Sequence, residues 1–116
     1  MPMSSKRKAA NAHAAVFAAL GDETRLLLLD RLYAGEPRSI SQLTEGTRLS
    51  RQAVTKHLRA LQRARILRCK HVGRESLFEF DPRPLQDLQV YLDAVSKQWD
   101  GALTRLKAFV ENNDPT

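Results

Sequence analysis

The last third of the chain places Leu85, Leu88, Leu92, Val95, Trp99, Ala102, Leu106 and Phe109 at alternating spacings of three and four residues. Such a repeat puts one unbroken apolar seam along a helix, here flanked by Tyr91, Leu103 and Val110. From Leu85 to Asn112 that helix would reach about 42 Å at 1.5 Å per residue. A chain of 116 residues offers no core that wide. A second copy is the simplest partner for the excess, set against a helix folded back on its own domain through a bend at Gly101. One domain this small buries only a modest core, so pairing would also help stability.

The preceding residues read as a succession of short elements. Residues 1–8 form a polar, basic tail expected to be disordered, and residues 9–112 a single domain whose dimerisation helix covers about 84–112. Residues 9–20 make an alanine-rich helix carrying Val16, Phe17 and Leu20, broken at Gly21. The Lys6-Arg7-Lys8 cluster ahead of Ala14–Leu20 imitates a signal peptide, but the apolar part is short and mostly alanine, and an amphipathic helix fits better. Asp22 caps a second helix from Glu23 to Ala34, whose run Leu26–Leu29 with Leu32 is expected to be buried centrally. Gly35-Glu36-Pro37 ends it. Ser41 is the expected cap of a short helix ending near Thr47, and Ser50 of a helix over Arg51–Arg63. In the latter Ala53, Val54, Leu58 and Leu61 share one face. Two short helices joined by a tight turn, the second with a basic polar face, constitute a helix-turn-helix. The period then changes: Ile66–Val72 and Ser76–Phe80 flank Gly73-Arg74-Glu75 as a hairpin. The fold class is mainly α with a small β-hairpin.

Charge sharpens the expectation. The net charge is +6 and the isoelectric point about 10.0. Residues 1–74 hold 15 lysines and arginines against 5 acids, while residues 75–116 hold 4 against 8. Between Glu45 and Glu75 stand Arg48, Arg51, Lys56, Arg59, Arg63, Arg65, Arg68, Lys70 and Arg74 without one acid. Ordinary solvated faces mix signs, so a one-signed stretch of this length is best explained by phosphates.

Four strings in this order resemble the ArsR/SmtB family of winged helix-turn-helix repressors. Ala19-Leu20-Gly21-Asp22-Glu23-Thr24-Arg25 is similar to the family's entry to its second helix. Ile40-Ser41-Gln42-Leu43 is similar to the start of the first helix-turn-helix element. Leu49-Ser50-Arg51-Gln52-Ala53-Val54-Thr55-Lys56-His57-Leu58-Arg59-Ala60-Leu61 matches the recognition-helix pattern, and Gly73-Arg74 before Leu77-Phe78-Glu79-Phe80 the wing. The resemblance covers about residues 14–100. It implies a winged helix-turn-helix, a homodimer formed through the terminal helices, and repression by operator occupancy. The chain departs from metal-sensing members: Ser39 and Ser41 stand where those often carry cysteines, and the last helix has no histidine. Serine is a poor ligand for thiophilic metals. Arg48, not glycine, stands just before the turn, with Gly46 two residues earlier.

The expected partner is therefore double-stranded DNA. Arg51 suits guanine O6/N7 and Gln52 adenine N6/N7 near the start of a helix in the major groove. Ser50 can combine capping with a phosphate contact. Thr55, Lys56 and Arg59 lie further along, on base edges or phosphates. Arg74 is expected at a minor groove or backbone, and Lys70, with Arg68, at phosphates. His57 also falls in the recognition pattern, at a phosphate or in a structural role. Val16, Phe17, Leu88, Leu92, Val95, Trp99 and Leu106 are the expected dimer contacts. His13, His57, Cys69 and His71 have no recognised metal spacing, so no metal or cofactor is expected. A lone cysteine permits no intrachain disulfide and suits a reducing, cytoplasmic setting. No phosphate loop and no nucleophile or zinc-protease motif points to an enzyme, and no apolar run spans a membrane. The rival readings are a metal- or redox-responsive member of the same family, and a winged-helix module binding RNA or an acidic protein.

Overall fold

The expected helices all form, and one strand joins the expected hairpin. The computed structural model describes residues 5–33 and 35–112. In chain order the elements are α1 (Ser5–Leu20), α2 (Glu23–Leu32), β1 (Arg38–Ser39), α3 (Ile40–Thr44), α4 (Arg51–Arg63), β2 (Leu67–Val72), β3 (Glu75–Phe80) and α5 (Arg83–Asn112). Helix α1 starts at Ser5, so residues 5–8 are helical rather than a disordered tail; lysine and arginine are good helix formers and extend the alanine run. The remainder of the expected tail, residues 1–4, lies outside the described residues. So does Ala34, the expected end of the second helix.

The chain divides after Leu85 into two compact units. The first contains the helix-turn-helix and the sheet. Its core is Leu28, Leu32, Leu43, Val54, Leu58, Leu61, Ile66, Leu67 and Phe78, all essentially inaccessible to solvent. Of the two α1 residues expected at a dimer contact, Val16 is buried, whereas Phe17 beside it is 43% exposed. The leucine run of α2 is not buried all round: Leu28, Leu29 and Leu32 face the core, but Leu26 and Leu27 are exposed. Successive helical residues differ by about 100°, so four consecutive leucines sweep past any single apolar face.

The sheet order is β1-β3-β2, and both pairings are antiparallel. Strand β1 pairs Arg38 with Phe78 and Ser39 with Leu77, which ties the start of α3 to the wing. The wing turn has two residues, with Gly73 first at φ +62°, as a II′ hairpin requires. Ser39, not Ser41, caps α3. Its Oγ accepts from Gln42 N at 3.2 Å while its own N–H donates to Gln42 Oε1 at 2.9 Å, closing a capping box.

Helix α4 ends in a Schellman arrangement. Ile66 N–H donates to Leu61 O and Arg65 N–H to Gln62 O, with Arg65 itself left-handed at φ +64°. Glycine is usual there; here the fully buried Ile66 behind it holds the conformation.

The second unit begins at Gln86 and comprises the rest of α5. The helix runs through Gly101 without a break. Leu88, one of the expected dimer contacts, is buried. Leu92, Trp99, Leu103 and Leu106 are between 45 and 63% exposed, and Val95 is half-buried.

Asp81, buried at the end of the sheet, accepts from Arg83 N, Nε and Nη2, the last at 2.7 Å. The Arg83 guanidinium holds its carboxyl at about 2, below the usual 3.8, against the opposing effect of burial. A depressed folded value contributes stability above the unfolded value and loses it as pH falls through the folded one. We therefore expect the gap in urea midpoint between the wild type and Asp81→Asn to be full above about pH 4 and to narrow towards about pH 2. A gap that does not change with pH would mean that ionisation of Asp81 contributes nothing.

Candidate nucleic-acid interface

Helix α4 begins where expected. Ser50 Oγ accepts from Ala53 N at 3.1 Å, and the hydroxyl keeps its proton for a further acceptor. Arg51, Gln52, Lys56 and Arg59 are exposed on its outer surface. Arg59 donates to Gln62 Oε1 at 3.4 Å. Thr55 is half-buried, and its hydroxyl donates back to Arg51 O at 2.8 Å, which removes that proton from outward recognition.

His57 belongs to the inner surface. Arg25 Nε donates to its Nδ1 at 3.2 Å, and the same guanidinium donates through Nη1 to Ala18 O and Ala19 O. Asp22 Oδ1 lies 3.9 Å from His57 Nδ1 and accepts from Arg25 N at 3.1 Å. That backbone bond, with the nearby Arg25 charge, lowers the Asp22 carboxyl below its ordinary value although partial burial opposes it. An arginine nitrogen only donates, so His57 Nδ1 is the acceptor of the Arg25 bond. The imidazole thus helps to set the angle of α4 from behind. Arg25 joins α1, α2 and α4, a role that its place in the family string did not disclose.

The turn between α3 and α4 is held by a second arginine of α2. Arg31 Nη1 donates to Leu43 O at 3.0 Å and Glu45 O at 2.6 Å, satisfying carbonyls left free at the end of α3. Gly46 takes φ +79° beside it, so the left-handed residue of the turn is the glycine two positions before Arg48. Thr47 Oγ1 donates to Thr44 O and accepts from Leu49 N, which completes the link.

The wing corrects the charge argument. Lys70 Nζ lies 3.3 Å and Arg68 Nε 3.5 Å from Glu79 Oε1, and Arg68 also approaches Asp81. Acids beyond the end of the basic run fold back to pair with it, so Lys70, expected at a phosphate, has an internal acid beside it. Arg48, Arg51, Lys56, Arg59, Arg63, Arg65 and Arg74 have no carboxylate within 4.0 Å among the described residues. Arg74 at the wing turn and Arg51 at the start of α4 line one cleft with Ser41, Glu75 and Ser76.

This arrangement has close counterparts. The chain is 32% identical over 94 residues to the HTH-type transcriptional regulator Rv2034 of Mycobacterium tuberculosis, covering 81% of this chain and 84% of that protein. It also superimposes on an ArsR-like transcriptional regulator from Rhodococcus sp. RHA1 with a TM-score of 0.74 and 34% identity, over 92% of this chain and 97% of that one. The chain belongs to the ArsR family of winged helix-turn-helix transcriptional regulators. A helix-turn-helix domain family matches residues 20–70 of this ArsR-family chain. The HTH-type transcriptional regulator YuzN of Bacillus subtilis is 35% identical over 80 residues, covering 64% of this chain and 87% of that protein.

Ser39 of this regulator is buried and committed to capping α3, so its hydroxyl has a structural task. Cys69 is half-buried on β2 opposite Phe78, and His71 lies 3.3 Å from Ser76 Oγ. Among the described residues no three histidine, cysteine or acidic side chains cluster as metal ligands, and no helix is long and apolar enough to cross a membrane.

If Arg25 sets α4, Arg25→Ala should lower stability by about 1–3 kcal/mol, because it strips donors from two carbonyls and His57. Urea denaturation measures this. An unchanged midpoint would make Arg25 an incidental surface contact.

Proposed function

We propose that a homodimer of this chain occupies an inverted-repeat operator in double-stranded DNA and represses transcription by excluding polymerase. The observation that carries the DNA reading is the row of unpaired outward groups on α4, Arg51, Gln52 and Lys56, beside Arg74 at the wing. Internal acids neutralise Arg68 and Lys70 but, among the described residues, leave these cations without counter-ions, which is the condition for phosphate binding. Gln52 reads adenine through N6/N7, and Lys56 supplies charge one turn on. Membership of the family and its resemblance to repressors support repression rather than activation.

The dimer reading rests on Leu92, Trp99, Leu103 and Leu106, large apolar side chains exposed along one helix. A row of that kind is expensive to leave in water and is typical of an interface. Phe17 on α1 adds to the exposed apolar surface.

The log of affinity should fall against log salt with a slope of at least about −5, from roughly six phosphates per dimer. Gln52→Ala should cost about 1–3 kcal/mol on the preferred duplex and little on a random one. Lys70→Ala should leave the slope almost unchanged. Fluorescence anisotropy on both duplexes, with competing RNA, tests this; a flat salt response or preference for RNA would overturn the DNA reading.

Leu92→Glu with Leu103→Glu should give monomers that retain their helix content, because a buried unpaired charge opens the interface. Operator binding should be lost, since one recognition helix cannot serve two half-sites about 34 Å apart. Sedimentation and circular dichroism decide it, and a variant that stays dimeric would place the interface elsewhere.

A further inference from the structure

We propose that the cleft between the wing and the start of α4 is a clamp for one backbone phosphate of the bound duplex, held jointly by Arg51 and Arg74. The inference rests on the DNA reading above and changes the expected task of Arg51 from reading a base to gripping the strand.

Two elements far apart in sequence bring their arginines to this cleft. Arg51 opens α4, and Arg74 follows Gly73 in the wing turn. Between them stand Ser41 of α3 and Ser76 of β3, with Glu75 on the same lining. The cleft is held by the backbone, because β1 pairs Ser39 with Leu77 and so fixes the start of α3 against the wing strand.

The charge balance of the cleft is unusual for this wing. Arg68 and Lys70, further along β2, each have an internal acid. Among the described residues Arg51 and Arg74 have none within 4.0 Å, and Glu75 pairs with neither. Two guanidinium groups facing one concavity without a counter-ion repel each other, and an anion between them removes that cost. Guanidinium forks match the oxygens of a phosphate, and the hydroxyl of Ser41 adds a small donor on the same lining. Glu75 opposes an anion in this cleft, so its charge limits the affinity.

The test uses the full-length protein and a duplex selected from genomic fragments. Replacing each phosphate in turn by a neutral methylphosphonate should reveal one position per half-site where wild-type affinity drops about tenfold. Both Arg51→Ala and Arg74→Ala should lose about tenfold on the unmodified duplex and become insensitive to that position. The double variant should lose little more than either single one, because the two side chains serve one group. Glu75→Gln should bind several-fold more tightly on specific and random duplexes alike. Losses that multiply, with the two variants insensitive to different phosphates, would overturn the clamp and leave DNA binding intact. So would an Arg51→Ala loss confined to one base pair. A wild type that retains no duplex would overturn both this inference and the function on which it rests.

Discussion

The guanidinium of Arg25 is the contact on which the interface depends. It donates to the carbonyls that end α1, to His57 in the middle of α4, and stands on α2 behind the Asp22 cap. A recognition helix is useful only if its outer face is aimed, and a thirteen-residue helix cannot be aimed by its own hydrogen bonds. Apolar packing of Val54, Leu58 and Leu61 fixes its depth in the core but tolerates small rotations. Directed bonds from a charged donor do not, which is why a polar cluster sits behind so basic a surface.

Arg31 performs the equivalent task for the turn. The two arginines of α2 are thus committed to internal carbonyls and an imidazole, while the arginines of α4 remain outward. The same separation runs through the wing, where Glu79 and Asp81 restrain Arg68 and Lys70. Net charge alone therefore overstates the surface presented to a polyanion. The informative quantity is the set of cations left over once internal acids and carbonyls have taken theirs.

The recognition helix was legible because its cap, its apolar face and its polar face all lie within the fourteen residues Ser50–Arg63. The wing was legible because Gly73 sits between two runs of strand-forming residues. Strand β1 was not, since two residues carry no periodicity and their pairing with Leu77 and Phe78 is non-local. The Lys70–Glu79 and Arg68–Glu79 pairs are invisible for the same reason. The cap of α3 was readable, because Ser39 and Gln42 have the spacing of a capping box, yet the nearer Ser41 drew attention away. Leu26 and Leu27 show that composition along a helix does not say which side the core will occupy. His57 lies in the recognition pattern but its direction is set by Arg25, a residue 32 positions away.

Between the end of α4 and the first residue of β2 stand only Ala64, Arg65 and Ile66. Arg65 is locked left-handed and Ile66 is sealed in the core, so the connection contains no slack. It acts as a welded joint rather than a hinge. A wing joined in this way swings only when its helix swings with it. Helix and wing therefore travel as one lever whose internal shape stays fixed.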